Sequence, residues 1–221
     1  MRHLLLAAAL LLAVPTTSRA EFGLGLRIGY GAPGGDIMKD STNVPPTTLK
    51  YTDYLSSQTE FQLDAMFKTS PKTAAGIYIG YAPNTIGGQL KDLCSLGLSC
   101  SSNTFRAGLQ FTAEFVDLGI VGLWGGLGTG YEAANFKLQG GGDTVEAQLR
   151  GWEWATLSAG ADLKLVKLIS AGLYVSYGFG QFHVQSVKQT GSSPGESTAG
   201  LGSDATTHNM FQIGLRGMFN L

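Results

Sequence analysis

From Phe22 to Leu221 the chain repeats one pattern: apolar residues alternate with glycine or polar residues in eight separate stretches. A period of 2 belongs to a strand with two unlike faces, and a helix cannot satisfy it. The stretches fall at about 22–31, 59–68, 73–82, 104–115, 120–131, 150–163, 169–182 and 210–221. In the first, Phe22, Leu24, Leu26, Ile28 and Tyr30 share one face, opposite Gly23, Gly25, Arg27, Gly29 and Gly31. In the fourth, Phe105, Ala107, Leu109, Phe111, Ala113 and Phe115 stand opposite Arg106, Gly108, Gln110, Thr112 and Glu114. The sixth is the least regular, with Ala155, Leu157, Ala159, Ala161 and Leu163 set against Thr156, Ser158, Gly160 and Asp162.

The connections alternate in length. Short ones fall at 69–72, 116–119 and 164–167; long ones at about 32–58, 83–103, 132–149 and 183–209. In a meander every second connection lies at the same end, so the short turns share one end and the long loops the other. That is the layout of a bacterial outer-membrane barrel. Stretches of this length suit the roughly 9–11 tilted residues that cross a bilayer. The expected fold is therefore all-β: an eight-stranded antiparallel up-and-down transmembrane β-barrel.

The same alternation could describe a soluble barrel with its apolar face inward. Two features oppose that. Charged residues are only 14% of the chain, too few to coat a water-facing surface, and glycine is 32 of 221 residues. The glycines sit on the polar face, where a narrow lumen leaves room for little else between its few large side chains. The aromatics of the apolar face cluster near the stretch ends. Phe22, Phe67, Phe115 and Phe219 mark one rim; Tyr30, Tyr81, Phe105, Tyr131 and Phe179 mark the other. Such girdles are expected at the two membrane interfaces.

Residues 1–20 differ in kind. Arg2 and His3 precede an unbroken apolar run, Leu4 to Val14, followed by Pro15 and Ser18-Arg19-Ala20. This is the plan of a cleaved secretory signal peptide, and the run is too short to span a bilayer. The expected organisation is a signal peptide over 1–20 and a barrel domain over 21–221. Removing 1–20 takes away Arg2 and Arg19 and no acid, leaving 13 Lys and Arg against 16 Asp and Glu. That balance offers nothing to nucleic acid.

The last stretch, Phe211-Gln-Ile213-Gly-Leu215-Arg-Gly-Met-Phe219-Asn-Leu221, resembles the C-terminal strand of outer-membrane barrels. With the loop pattern, the chain is similar to the small eight-stranded barrels of the OmpA transmembrane-domain, OmpX and OmpW kind. The resemblance implies that the barrel assembly machinery reads this strand, with Phe219 and Leu221 as the assembly signal. In the family the final residue is usually aromatic; here it is Leu221.

Several side chains could carry chemistry. The strand phases turn Arg27, Lys68, Arg106 and Arg216 inward together with Glu60, Asp64, Glu114 and Asp162. Charges in a narrow lumen are costly unless paired, so equal numbers suggest an internal network that plugs the barrel. A charge-lined conduit is the alternative. Cys94 and Cys100, in the second long loop of an exported chain, read as a disulfide. Gly29 to Gly34 matches G-x-G-x-x-G, but a proline-containing loop follows instead of the helix a dinucleotide needs. His183 and His208 flank the fourth long loop, with Ser186 and Asp204 near; they read as solvated loop residues, with a lipid-modifying hydrolase or a rim metal site as lesser alternatives. Trp152 and Trp154 read as interface anchors.

The sequence thus points to a non-enzymatic barrel with no metal or cofactor. Its expected partners are outer-membrane lipid and lipopolysaccharide, the assembly machinery, and an extracellular ligand of the loops. A narrow channel for small or apolar solutes and a soluble periplasmic ligand-binding barrel remain as alternatives.

Overall fold

The computed structural model describes residues 21–40 and 45–221. The expected signal peptide lies outside the described residues. Ten strands form one antiparallel sheet: β1 (Phe22–Asp40), β2 (Thr47–Lys50), β3 (Leu55–Ser70), β4 (Thr73–Ile86), β5 (Ser99–Asp117), β6 (Val121–Gly140), β7 (Asp143–Val166), β8 (Ile169–Thr190), β9 (Gly195–Gly200) and β10 (Thr207–Asn220). One helix, α1 (Gly88–Ser95), lies between β4 and β5. Among the described residues no helix is long and apolar enough to cross a membrane.

Eight of the strands close into a ring. Consecutive neighbours pair from β3 to β8, β8 pairs with β10, and β10 pairs with β1, which returns to β3. The seam runs from Gly23 opposite Asn220 to Gly35 opposite His208. A closed ring has no free edge, which hydrocarbon requires. The outward side chains along the spanning part are large and apolar, among them Leu24, Ile28, Leu63, Ile77, Leu109, Leu173 and Leu215. The expected girdle residues also lie on the outside: Tyr30, Phe67, Tyr81, Phe105, Phe115, Tyr131 and Phe219 are exposed, Phe22 packs on Phe67, and Phe179 packs on Tyr177.

The long connections differ from the sequence expectation. They are largely strand. β6 and β7 run on to a tight turn at Gly141 and Gly142, both at positive φ, where glycine carries no steric cost. β2 and β9 are additional short strands pairing with β1 and β8. The reason is a reversal of the two faces beyond the aromatic rim. On β6 the inward positions are Gly122, Trp124, Gly126, Gly128, Gly130 and Glu132, then Ala134 and Phe136; the outward ones turn from Leu127 and Tyr131 to Asn135 and Lys137. Outside the bilayer the surroundings are water, so the strand keeps its period and exchanges the chemistry of its faces.

The irregular sixth stretch is explained by a β-bulge. Glu153 pairs with Gly130 and Thr156 with Gly128, so two β7 residues face one on β6. The extra residue reverses the phase. Below the bulge the even positions Thr156, Ser158, Gly160 and Asp162 face inward; above it the odd positions Leu149, Gly151 and Glu153 do. Trp152 and Trp154 are left on the outside.

Candidate functional site: the lumen and its apolar cap

The lumen is built in three layers. At the end where the short turns lie is an open vestibule of about 660 Å³. Lys72, Glu114, Asp117 and Lys164 line it, and Trp124 and Arg216 stand at its inner end. Two of the expected lumen charges belong here. Lys68 pairs with Glu21 at the partly exposed rim, and Glu114 accepts from Lys164 Nζ at 3.2 Å.

The middle layer is a buried network of charges. Arg216 Nη1 donates to Asp162 at 3.3 Å, and its guanidinium lies 4.1 Å over the Trp124 ring, whose Nε1 also donates to Asp162. Arg27 donates to Asp64 at 2.7 Å and to Gln110 at 2.8 Å. Arg106 pairs with Glu60 through one nitrogen and with Glu153 through another at 3.3 Å. Gln212 donates to Glu60 and accepts from Ser176 Oγ at 3.0 Å. Tyr78, Tyr174 and Trp124 fill the remaining space. Glycine makes that possible: a Cβ on Gly160 would sit 2.6 Å from the Trp124 ring, and one on Gly29 would meet the Tyr174 hydroxyl. Between these groups lies a gap of about 20 Å³, roughly the room one water needs.

Above the charges sits an apolar cap that the sequence reading does not foresee. Its core is Ile37, Tyr51, Leu55, Leu90, Ala134, Phe136, Leu149, Phe182, Leu201 and Met210. Tyr51 enters on a 3-10 turn, Tyr51–Asp53, and Leu90 on α1. Phe182 is fully buried and stacks on the His208 ring at 4.2 Å, while Tyr51 meets both rings edge-on. Cys94, in the last turn of α1, is joined by a disulfide to Cys100 at the start of β5. Burying these side chains against one another removes apolar area from water, which stabilises the cap.

His208 is therefore not a solvated loop residue. It is 3% exposed, and its Nε2 lies 3.0 Å from Glu132 Oε2. His183 occupies a second bulge, on β8, where its carbonyl accepts from the Leu201 amide; the Ser186 hydroxyl is engaged with Thr198. Among the described residues no group of three or more His, Cys, Asp or Glu side chains is placed to hold a metal.

Three inward acidic or basic residues were missed from sequence: Glu132, Glu153 and His208. Glu132 was legible, because it continues the even-numbered phase of β6 past Tyr131. Glu153 was not, because the bulge reverses its phase. His208 lay in a segment read as loop. With them, the carboxyls of the inner layers among the described residues are Glu60, Asp64, Glu132, Glu153 and Asp162, against Arg27, Arg106, Arg216 and His208.

No protein-family model and no curated protein matches the chain. Solved structures match it in fold. A major outer membrane protein from Thermus thermophilus aligns with a TM-score of 0.58 at 12% identity, over 90% of this chain and 99% of that one. The outer membrane protein AlkL in DMPC bilayers aligns at 0.55 and 14% identity, over 94% of both chains. OprG from Pseudomonas aeruginosa aligns at 0.54 and 14%, over 90% of this chain and 96% of that one. The chain has the fold of the small outer-membrane β-barrel proteins. At these identities the likeness is one of fold, and function has to be argued from the site.

Proposed function

We propose that this chain is a surface-exposed outer-membrane barrel protein without enzymatic activity, closed across its lumen, whose work is done by its extracellular elements. The observation that carries the reading is the two-layer seal. An ion-paired network fills the membrane section, and an apolar core caps it from outside. An open pore needs neither. The resulting roles are recognition at the cell surface and maintenance of the envelope. The lipid-facing wall meets outer-membrane lipid and lipopolysaccharide, and the last strand, ending at Phe219 and Leu221, presents the chain to the assembly machinery.

The test is conductance of the mature protein in a planar bilayer. The expected result is a quiet membrane at protein levels where heat-modifiable gel mobility shows folded barrels. Stable unitary steps would overturn the closed-lumen reading. They would favour a narrow channel for small solutes, which has one observation on its side: the vestibule already opens the periplasmic half of the path.

A further inference from the structure

Beyond the membrane the barrel is lopsided. β5, β6, β7, β8 and β9 continue upward as one sheet, and their outward residues fall in register. One row is Asn103, Asn135, Gln148, Ser186 and Thr198; the next above it is Ser101, Lys137, Glu146, Lys188 and Glu196. The upper row alternates in charge, and Lys137 pairs with Glu146 at 3.0 Å. The lower row is neutral and linked sideways: Asn135 donates to Asn103 at 3.0 Å, Gln148 donates to Asn135 at 2.6 Å, and Ser186 and Thr198 share a hydrogen bond.

Below these rows lies Arg150. Its Nε donates to Gln148, and among the described residues no carboxylate stands within ion-pair distance of it. It is exposed on the outer wall, and the in-register residues on either side are Ala133 and Val184. Two residues further down β7, Trp152 packs edge-to-face on Tyr131 at 5.5 Å, and Trp154 projects from the bulge. Tryptophan and tyrosine mark the membrane boundary. Arg150 is then about 7 Å above it along the strand. In the outer leaflet that level holds lipid phosphates, and the polar rows stand where the sugars of a glycolipid begin.

We propose that this face docks one molecule of outer-leaflet lipopolysaccharide. The acyl chains follow the apolar wall, a sugar phosphate sits on Arg150, the first sugar rests on Trp152 and Trp154, and the core sugars lie against the amide and hydroxyl row. The site is continuous with the lipid-facing surface, Arg150 carries a positive charge with no acid opposite it, and the charges of the upper row sum to zero. The inference rests on the outer-membrane placement proposed above.

The test is binding of purified lipopolysaccharide with an intact core to the folded mature protein in phosphatidylcholine nanodiscs. A charge-assisted contact to phosphate corresponds to about a tenfold change in affinity. Arg150→Gln is expected to weaken binding by about that factor, while Lys72→Gln at the periplasmic mouth leaves it unchanged. Dephosphorylated lipopolysaccharide should bind wild type as weakly as intact lipopolysaccharide binds Arg150→Gln, and should be indifferent to that substitution. Asn135→Ala with Gln148→Ala should erase the preference for core-bearing lipopolysaccharide over lipid A. Equal binding by wild type and Arg150→Gln would overturn the proposal, and so would competition by phosphatidylglycerol as effective as by lipopolysaccharide. Heat-modifiable mobility confirms that each variant is folded. Conductance by the wild type would remove the closed-lumen reading and leave this one standing.

Discussion

Arg106 is the hinge of the charged layer, and removing it gives the sharpest test of the plug. Its guanidinium faces Glu60 and Glu153, and all three side chains are buried. Arg106→Met keeps the volume and apolar stem but leaves two carboxyls with no cation between them. Gln212 still donates to Glu60, so Glu60 keeps one partner, whereas Glu153 loses its only ion pair among the described residues. Breaking a buried pair by removing one partner costs about 3–5 kcal/mol. The cost comes from stranded charge and not from lost contact. It should therefore vanish when the acids go too: Arg106→Met with Glu60→Gln and Glu153→Gln is expected within about 1 kcal/mol of wild type, or above it. The assay is urea unfolding in phosphatidylcholine vesicles, followed by tryptophan fluorescence and by gel mobility without heating. A loss under about 1 kcal/mol for Arg106→Met, or a triple variant as unstable as the single one, would refute the reasoning.

Other outcomes follow from separate parts of the structure. Phe182→Ala removes a fully buried ring from the cap and should cost about 3–5 kcal/mol in the same titration; the charged layer below should keep the bilayer quiet. Deleting Trp154 leaves Ala155 alone opposite Thr129, so the ladder becomes regular while Glu153 and Leu149 stay inward and Arg150 and Trp152 stay outward; the heat-modifiable form is expected to persist, and its loss would remove the bulge reading. Reducing the Cys94–Cys100 disulfide should loosen α1 by about 2 kcal/mol, seen as faster amide exchange there, with the barrel strands unchanged. At the outer tips, the Ser192 amide and hydroxyl donate to Asp143 and hold its carboxyl below the usual carboxylate range. A lowered folded value means the tie is present above the ordinary carboxylate pKa and is lost as pH falls through the lowered one. Protection of the Ser192 amide, measured against its intrinsic exchange rate, should fall in that acidic window and hold near neutrality; protection unchanged through the window would remove the tie.

How the sequence and the structure divide the work is clearest along β6 and β7. Alternation is a local property of an extended chain, so the even-numbered lumen phase of β6 can be read from Gly122 to Glu132 without knowing any neighbour. The same holds for Arg27, Glu60, Asp64, Arg106, Asp162 and Arg216, whose inward direction is a matter of counting. Counting fails at a bulge, since one extra residue at Trp154 reverses every position above it, and nothing in Arg150 to Ala155 announces where that residue will be. It also misled at the loops, where Gly, Ser, Thr and Asn in 132–149 and 183–209 suggested connection and the chain forms strand facing water.

The sequence by itself determined that this chain closes into a ring of eight lipid-facing strands, because period, glycine placement and alternating connection lengths are all encoded within single segments. Only the tertiary structure decided which charges meet and what covers them. Arg27 finds Asp64 across 37 residues, and Gln212 finds Glu60 across 152. The cap gathers Ile37, Tyr51, Leu90, Phe136, Phe182 and Leu201 from six different segments. These partners are set by the register of the closed ring, and register is a relation between strands that no single strand carries.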